Sequence, residues 1–137
     1  GISVTESYSG SITTQVRQAH GSSMLAIDFT GAGANEALVI TLEGELCPNG
    51  TPSDAGGKTL AIAFYLEGRM ANAIDYFWIQ FFSGGVWQPA AADKFGYNGA
   101  RDAFSAKVPA SAGKFRVVFN FVQNTSGTIF VDDVNVQ

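Results

Sequence analysis

The densest apolar and aromatic run of the sequence is IDYFWIQFF, residues 74–82. The run is too short to cross a bilayer as a helix, and its aromatic content favours a β-strand. Side chains alternate along a strand, so Phe77, Ile79 and Phe81 are predicted to share one face and to form part of the core. The opposite face combines amphipathic rings with an amide, which is typical of a flat, half-hydrated recognition surface. That face carries Tyr76, Trp78, Gln80 and Phe82.

Composition predicts one folded domain over residues 1–137, since 46% of the residues are hydrophobic and 15% are charged. The net charge of -4 and the scattered basic residues argue against a nucleic-acid partner, and a neutral ligand fits this surface better. No window has the apolar length of a membrane span, and the amino terminus lacks the layout of a signal peptide. The single Cys47 cannot form an internal disulfide.

Period-two alternation recurs along the rest of the chain and predicts about eight short strands separated by turn signals. Residues 1–18 are expected to form one or two edge strands, and Gly84-Gly85 to form a hairpin turn. Residues 88–102 show no sustained period and are predicted to form a rim loop. The pattern indicates an all-β fold, an antiparallel β-sandwich of the jelly-roll kind. The other predicted strands are residues 24–29, 38–46, 59–69, 104–108, 114–123 and 128–136.

Three stretches in this order resemble the carbohydrate-binding modules of families 4, 9 and 22. Residues 20–27 (HGSSMLAI) look like their G-x-x-x-L-x-V strand, and residues 58–68 (KTLAIAFYLEG) look like the strand after their proline-glycine loop. Residues 127–136 (GTIFVDDVNV) resemble their closing strand. The N-x-x-F-E segment that opens those modules is missing, and Glu6 is a loose match to its glutamate.

The resemblance implies a jelly roll of galactose-binding-like architecture and a non-catalytic module of a secreted, multi-domain glycoside hydrolase. It also implies a polysaccharide or oligosaccharide ligand, a β-linked glucan or xylan. A membrane partner is not expected, because no window has the apolar length of a span. No cofactor is required, but Asp132 matches one ligand of a structural Ca²⁺ in those modules.

Residues that suit sugar binding are aromatic rings, which stack on the C–H faces of pyranoses, and polar groups that hydrogen-bond hydroxyls. If the strands that carry them are neighbours, they line one face of one sheet. Trp87, beside the Gly-Gly turn, is either a platform at the rim or a plug under its own loop, and the same holds for Phe95 and Tyr97. The predicted ligand-binding residues are Tyr65, Glu67, Arg69, Tyr76, Trp78, Gln80, Trp87, Arg116 and Asn120.

Two other classes of function remain open from the sequence. A domain for adhesion or protein contact would use the same fold, because fold alone does not decide function. A small glycan-active enzyme would need two carboxylates across a cleft, for which Glu43, Glu45 and Glu67 are the candidates. A Cys47–His20 dyad is formally possible, although no motif supports it.

Overall fold

A computed structural model describes residues 2–7, 11–30, 37–46, 56–68, 76–94, 100–122 and 126–137. Ten β-strands lie in these ranges, arranged as two antiparallel five-stranded sheets. The strands are β1 (Ile2–Ser7), β2 (Ser11–Ala19), β3 (Ser22–Thr30), β4 (Ala37–Glu45), β5 (Thr59–Glu67), β6 (Tyr76–Ser83), β7 (Val86–Lys94), β8 (Arg101–Lys107), β9 (Lys114–Val122) and β10 (Ser126–Val136).

The two sheets, named here front and back, have the strand orders β1-β4-β9-β6-β7 and β2-β3-β10-β5-β8. From β3 onward the chain passes from one sheet to the other at every connection except the β6–β7 hairpin. This gives the two four-stranded sets of a jelly roll, and β1 and β2 add one edge strand to each sheet. The prediction of an all-β antiparallel sandwich with a jelly-roll topology is confirmed.

The core lies between the sheets and is rich in phenylalanine. Phe77, Ile79 and Phe81 are at most 2% exposed, which confirms that this face of β6 points inward. Phe64 of the back sheet meets Phe77 and Phe119 of the front sheet edge-on, with ring centroids 4.8 and 5.2 Å apart. Edge-to-face contacts of this kind add to the free energy gained from burial alone. The aromatic strand thus fixes the packing of the two sheets.

The β6–β7 hairpin turns at Gly84 and Gly85, as predicted. Both glycines have positive φ, 64° and 80°, which a two-residue turn matched to the strand twist requires. The prediction of a loop over residues 88–102 is wrong at both ends, because β7 continues to Lys94 and β8 begins at Arg101. Pro89 and a register shift opposite Ile79 and Gln80 interrupt the sequence period there. Such a proline is accommodated because β7 is an edge strand.

No helix in the described ranges has the length and apolar character needed to cross a membrane.

Candidate functional site

The outer face of the front sheet presents an open aromatic pair on β6. Tyr76 is 41% exposed and Trp78 is half-buried, and their ring centroids lie 5.2 Å apart with the planes tilted by 37°. The rings flank a shallow depression of about 490 Å³. Its other lining residues are Pro89, Ala90, Ala91 and Ala92 of β7.

The depression exists because β7 is built from small residues beside large rings. The register shift places Ala91 opposite Ile79 and Pro89 opposite Gln80, leaving Ala90 as an extra residue. A bulge of this type bends an edge strand and redirects its side chains. Short side chains on this bent strand leave the flank of Trp78 uncovered.

Strand β9 borders the aromatic pair on its other side. Asn120 lies directly opposite Tyr76, and Val118 lies opposite Trp78. Val118 is only 5% exposed although it is on the outer face, so it forms an apolar floor between Trp78 and β4. Side chains directly opposite one another on antiparallel strands share a face at short range. The amide of Asn120 is therefore a polar neighbour of the Tyr76 ring.

A cationic cluster lies further along the same face, toward the β6–β7 turn. Arg116 is opposite Gln80, and its Nε donates to Gln80 Oε1 at 2.6 Å. The Arg116 guanidinium also lies over the Trp87 ring, 4.3 Å from its centroid. Lys114 Nζ lies 4.8 Å from the centroid of Phe82 and 3.4 Å from Glu43 Oε1.

Five predicted binding residues on β6 and β9, together with Trp87 on β7, thus share the outer face of the front sheet. The Trp87 ring packs against Phe82, with centroids 5.2 Å apart, and the Arg116 guanidinium stacks on it. Trp87 therefore supports this face at the end nearest the β6–β7 turn. The residues brought together are Tyr76, Trp78, Gln80, Trp87, Arg116 and Asn120.

The expectation that β5 contributes to the same surface is wrong. β5 pairs with β10 and β8 in the back sheet, so Tyr65 and Glu67 lie on the opposite outer face. The Tyr65 ring is also covered, since His20 stacks on it at 3.8 Å with the planes 5° apart. His20 Nε2 lies 2.5 Å from Glu67 Oε1. The predicted site residue Arg69 lies outside the described residues, as do Phe95 and Tyr97.

The back sheet carries further ion pairs on its outer face. Arg17 donates two hydrogen bonds to the Asp28 carboxylate, at 2.9 and 3.1 Å, and Thr128 donates a third at 2.6 Å. The hydrogen bond from Thr128, helped by the Arg17 cation, holds the pKa of Asp28 below its usual value against the opposing effect of burial.

Asp132 accepts a hydrogen bond from Arg101 Nε at 2.6 Å, and this bond raises the pKa of Arg101. Asp132 occupies a β-bulge between Val131 and Asp133. Within the described ranges no group of three or more His, Cys, Asp or Glu side chains is placed to hold a metal ion. The structural Ca²⁺ at Asp132 stays a prediction of the resemblance.

The carboxylates considered for catalysis do not face one another. Glu43 and Glu45 lie on β4 of the front sheet, whereas Glu67 lies on β5 of the back sheet. Glu43 is paired with Lys114 and Glu67 with His20. Cys47, the proposed partner of His20, lies outside the described residues.

Sequence reasoning missed part of this surface. Lys114 and Val118 share the alternation of Arg116 and Asn120, so their outward direction was visible in the sequence. The Pro89–Ala92 wall left no such signal, because its bulge breaks the period and its residues are small.

Comparisons with known proteins find the fold among sugar-binding modules. No family model and no curated protein matches the sequence. A structure described under the promiscuous specificity of β-sandwich carbohydrate-binding modules matches all of this chain, with a TM-score of 0.70 and 11% identity. This chain spans only 57% of that structure's length.

Two further solved structures with this fold are carbohydrate-binding modules of different families. A family 11 module from Clostridium thermocellum, in complex with a β-1,3-1,4-mixed-linked tetrasaccharide, has a TM-score of 0.61 and 11% identity over 98% of this chain and 87% of its own. A family 4 module has a TM-score of 0.54 and 17% identity over 93% and 77%. At these identities the likeness shows the fold of the β-sandwich modules, and it does not single out the family 4, 9 and 22 group.

Proposed function

We propose that this chain is a non-catalytic carbohydrate-binding module that binds a β-linked glucan or xylan chain across the outer face of its front sheet. In this proposal it serves a secreted, multi-domain glycoside hydrolase by holding that enzyme on polysaccharide. The observation that carries the proposal is the Tyr76–Trp78 pair, which lies beside an open depression of about 490 Å³.

The chemistry of this face suits a neutral sugar chain. The two rings offer apolar faces to pyranose C–H groups, while Asn120, Gln80 and Arg116 offer hydrogen-bonding groups at their border. The depression is open and is lined mainly by short apolar residues. An extended polysaccharide can lie along the depression without being enclosed. An open site of this kind is needed to bind an internal segment of a polymer.

The fold likeness supports the same conclusion by analogy. Several solved structures that share the fold are carbohydrate-binding modules, and one of them holds a mixed-linked β-glucan tetrasaccharide. The choice of glucan or xylan, the secreted location and the attached hydrolase rest on the sequence resemblance.

Tryptophan fluorescence gives a direct test, because the chain has two tryptophans and both lie on the proposed face. The protein is titrated with soluble mixed-linked β-glucan, xylan, mannan and galactan, and affinities are confirmed by calorimetry. We expect saturable binding of β-glucan or xylan and a change in emission. In Trp87→Phe, which leaves Trp78 as the sole reporter, the change persists.

Failure to bind any glycan of the panel would overturn the proposal and favour a protein-contact domain. Release of reducing ends from any panel member by the isolated domain would instead establish an enzyme.

A further inference from the structure

We propose that Arg116 forms a subsite for a carboxylate on the bound glycan, so that the chain prefers a polysaccharide with occasional uronic acid residues. The inference rests on the proposed function and specifies its ligand. It follows from the position, the fixed orientation and the unused donors of one guanidinium group.

The position of the Arg116 guanidinium is set by partners on two strands beyond its own. Gln80 on β6 accepts from Nε at 2.6 Å, and Trp87 on β7 lies under the guanidinium at 4.3 Å. Glu43 lies opposite Arg116 on β4, which is the strand on the other side of β9. The side chain therefore reaches away from β4 and across β6 toward Trp87.

Among the described residues, the terminal amino groups of the guanidinium have no side-chain hydrogen-bond partner. Arginine has five N–H donors, and in the described part of the chain only Nε of Arg116 is hydrogen-bonded to a side chain. The two terminal amino groups form a planar fork that matches a carboxylate, and stacking on Trp87 holds this fork in place. The neighbouring cation differs, since Lys114 is already paired with Glu43.

The subsite adjoins the proposed sugar platform. Gln80 follows Trp78 by two positions on β6, a separation of about 7 Å along a strand. A uronic acid unit near the sugar that stacks on Trp78 can thus reach the Arg116 fork. The net charge of -4 opposes a densely charged polyanion, so the subsite suits isolated carboxylates on a neutral backbone.

The test uses three forms of one β-linked oligosaccharide: unsubstituted, carrying a uronic acid unit, and carrying that unit with its carboxyl reduced to an alcohol. Calorimetry at about 20 mM salt is expected to show the uronate form binding about fivefold to tenfold tighter than the reduced form. Most of this preference is lost at about 500 mM salt, where ionic screening is strong.

Two variants separate a carboxylate subsite from an effect of overall charge. Arg116→Gln is expected to bring the ratio between the uronate and reduced forms close to one. Arg101→Gln removes the same charge from the back sheet and keeps the ratio of the native chain. Equal affinity of the native chain for the uronate and reduced forms, with both binding, would overturn the subsite alone. Absence of binding to all three forms would overturn the proposed function as well.

Discussion

The outer faces of the two sheets carry similar residues but present them differently. On the front sheet, Tyr76 and Trp78 leave their rings beside an open depression. On the back sheet, His20 stacks on Tyr65 and Arg17 lies 5.2 Å from the centroid of Phe130. The chain therefore covers Tyr65 and Phe130 of the back face with its own cationic or polar groups. On the front face its cations lie over Phe82 and Trp87, whereas Tyr76 and Trp78 stay open beside the depression.

This difference shows that exposure of an aromatic residue to a ligand depends on its neighbours more than on its strand alternation. The back sheet also has a depression, of about 310 Å³, which is lined by three alanines, by Phe104 and by polar side chains that include Arg101 and Asn135. Its ion pairs, from Arg17 to Asp28 and from Arg101 to Asp132, are internal. Among the described residues, the open Tyr76 and Trp78 rings of the front face lie beside the polar side chains of Gln80, Arg116 and Asn120.

The core shared by both faces offers the largest expected effect. Phe64→Ala removes a ring that is 0% exposed and contacts Phe77 and Phe119, so unfolding in denaturant should show a loss of about 3–5 kcal/mol. Ile62→Val, at a neighbouring buried position, should cost about 1 kcal/mol. A loss below that of the control would show that the sheets do not depend on this aromatic contact.

The front face itself is tested by Trp78→Ala. Removing the central ring should weaken binding of β-glucan or xylan about thirtyfold, or about 2 kcal/mol, in a protein that keeps its fold. Val86→Ala, an exposed substitution on the same sheet, should bind as the native chain does. Unchanged affinity in Trp78→Ala would move the proposed site away from the aromatic pair.

The sequence predicted the faces of the strands much better than their sheet. Alternation places Phe77 inward and Tyr65 outward, and both orientations are observed. Alternation carries no information about which strands pair, because pairing depends on contacts between residues far apart in the chain. The jelly-roll crossing sends β5 and β6 to opposite sheets, and this separates Tyr65 from Trp78.

The failure to predict strand β7 has a different cause. Pro89 and the bulge at Ala90 hide the period of an edge strand, although the Gly84-Gly85 turn was recognised before it. The wall of the depression therefore could not be predicted, whereas the two rings that flank it could.

The covered face is tested by Tyr65→Ala. Tyr65 packs beside the small buried cluster of Met24, Ala26 and Phe130 and carries the His20 ring, so its loss should cost about 1–3 kcal/mol of stability. Glycan affinity should not change, since Tyr65 is on the opposite sheet from the proposed site. Tyr65→Phe keeps the ring and should stay within about 0.5 kcal/mol of the native stability. A loss of glycan affinity in a folded Tyr65→Ala protein would place the ligand on the back sheet.

The smallest expected effect concerns the ion pair between Arg17 and Asp28 on the outer face of the back sheet. Asp28→Asn removes the charge that Arg17 and Thr128 stabilise, and should cost about 1 kcal/mol at neutral pH. The pKa of Asp28 is lowered in the folded chain from 3.8, so its contribution is complete above that pH and is lost as pH falls through the folded value. The difference in unfolding free energy between native and variant should therefore be constant at neutral pH and shrink in acid below about pH 4.

Glu45→Gln, which removes an exposed carboxylate of the front sheet, serves as the control for overall charge. If the difference for Asp28→Asn grew in acid, the carboxylate would not be the group that these hydrogen bonds stabilise.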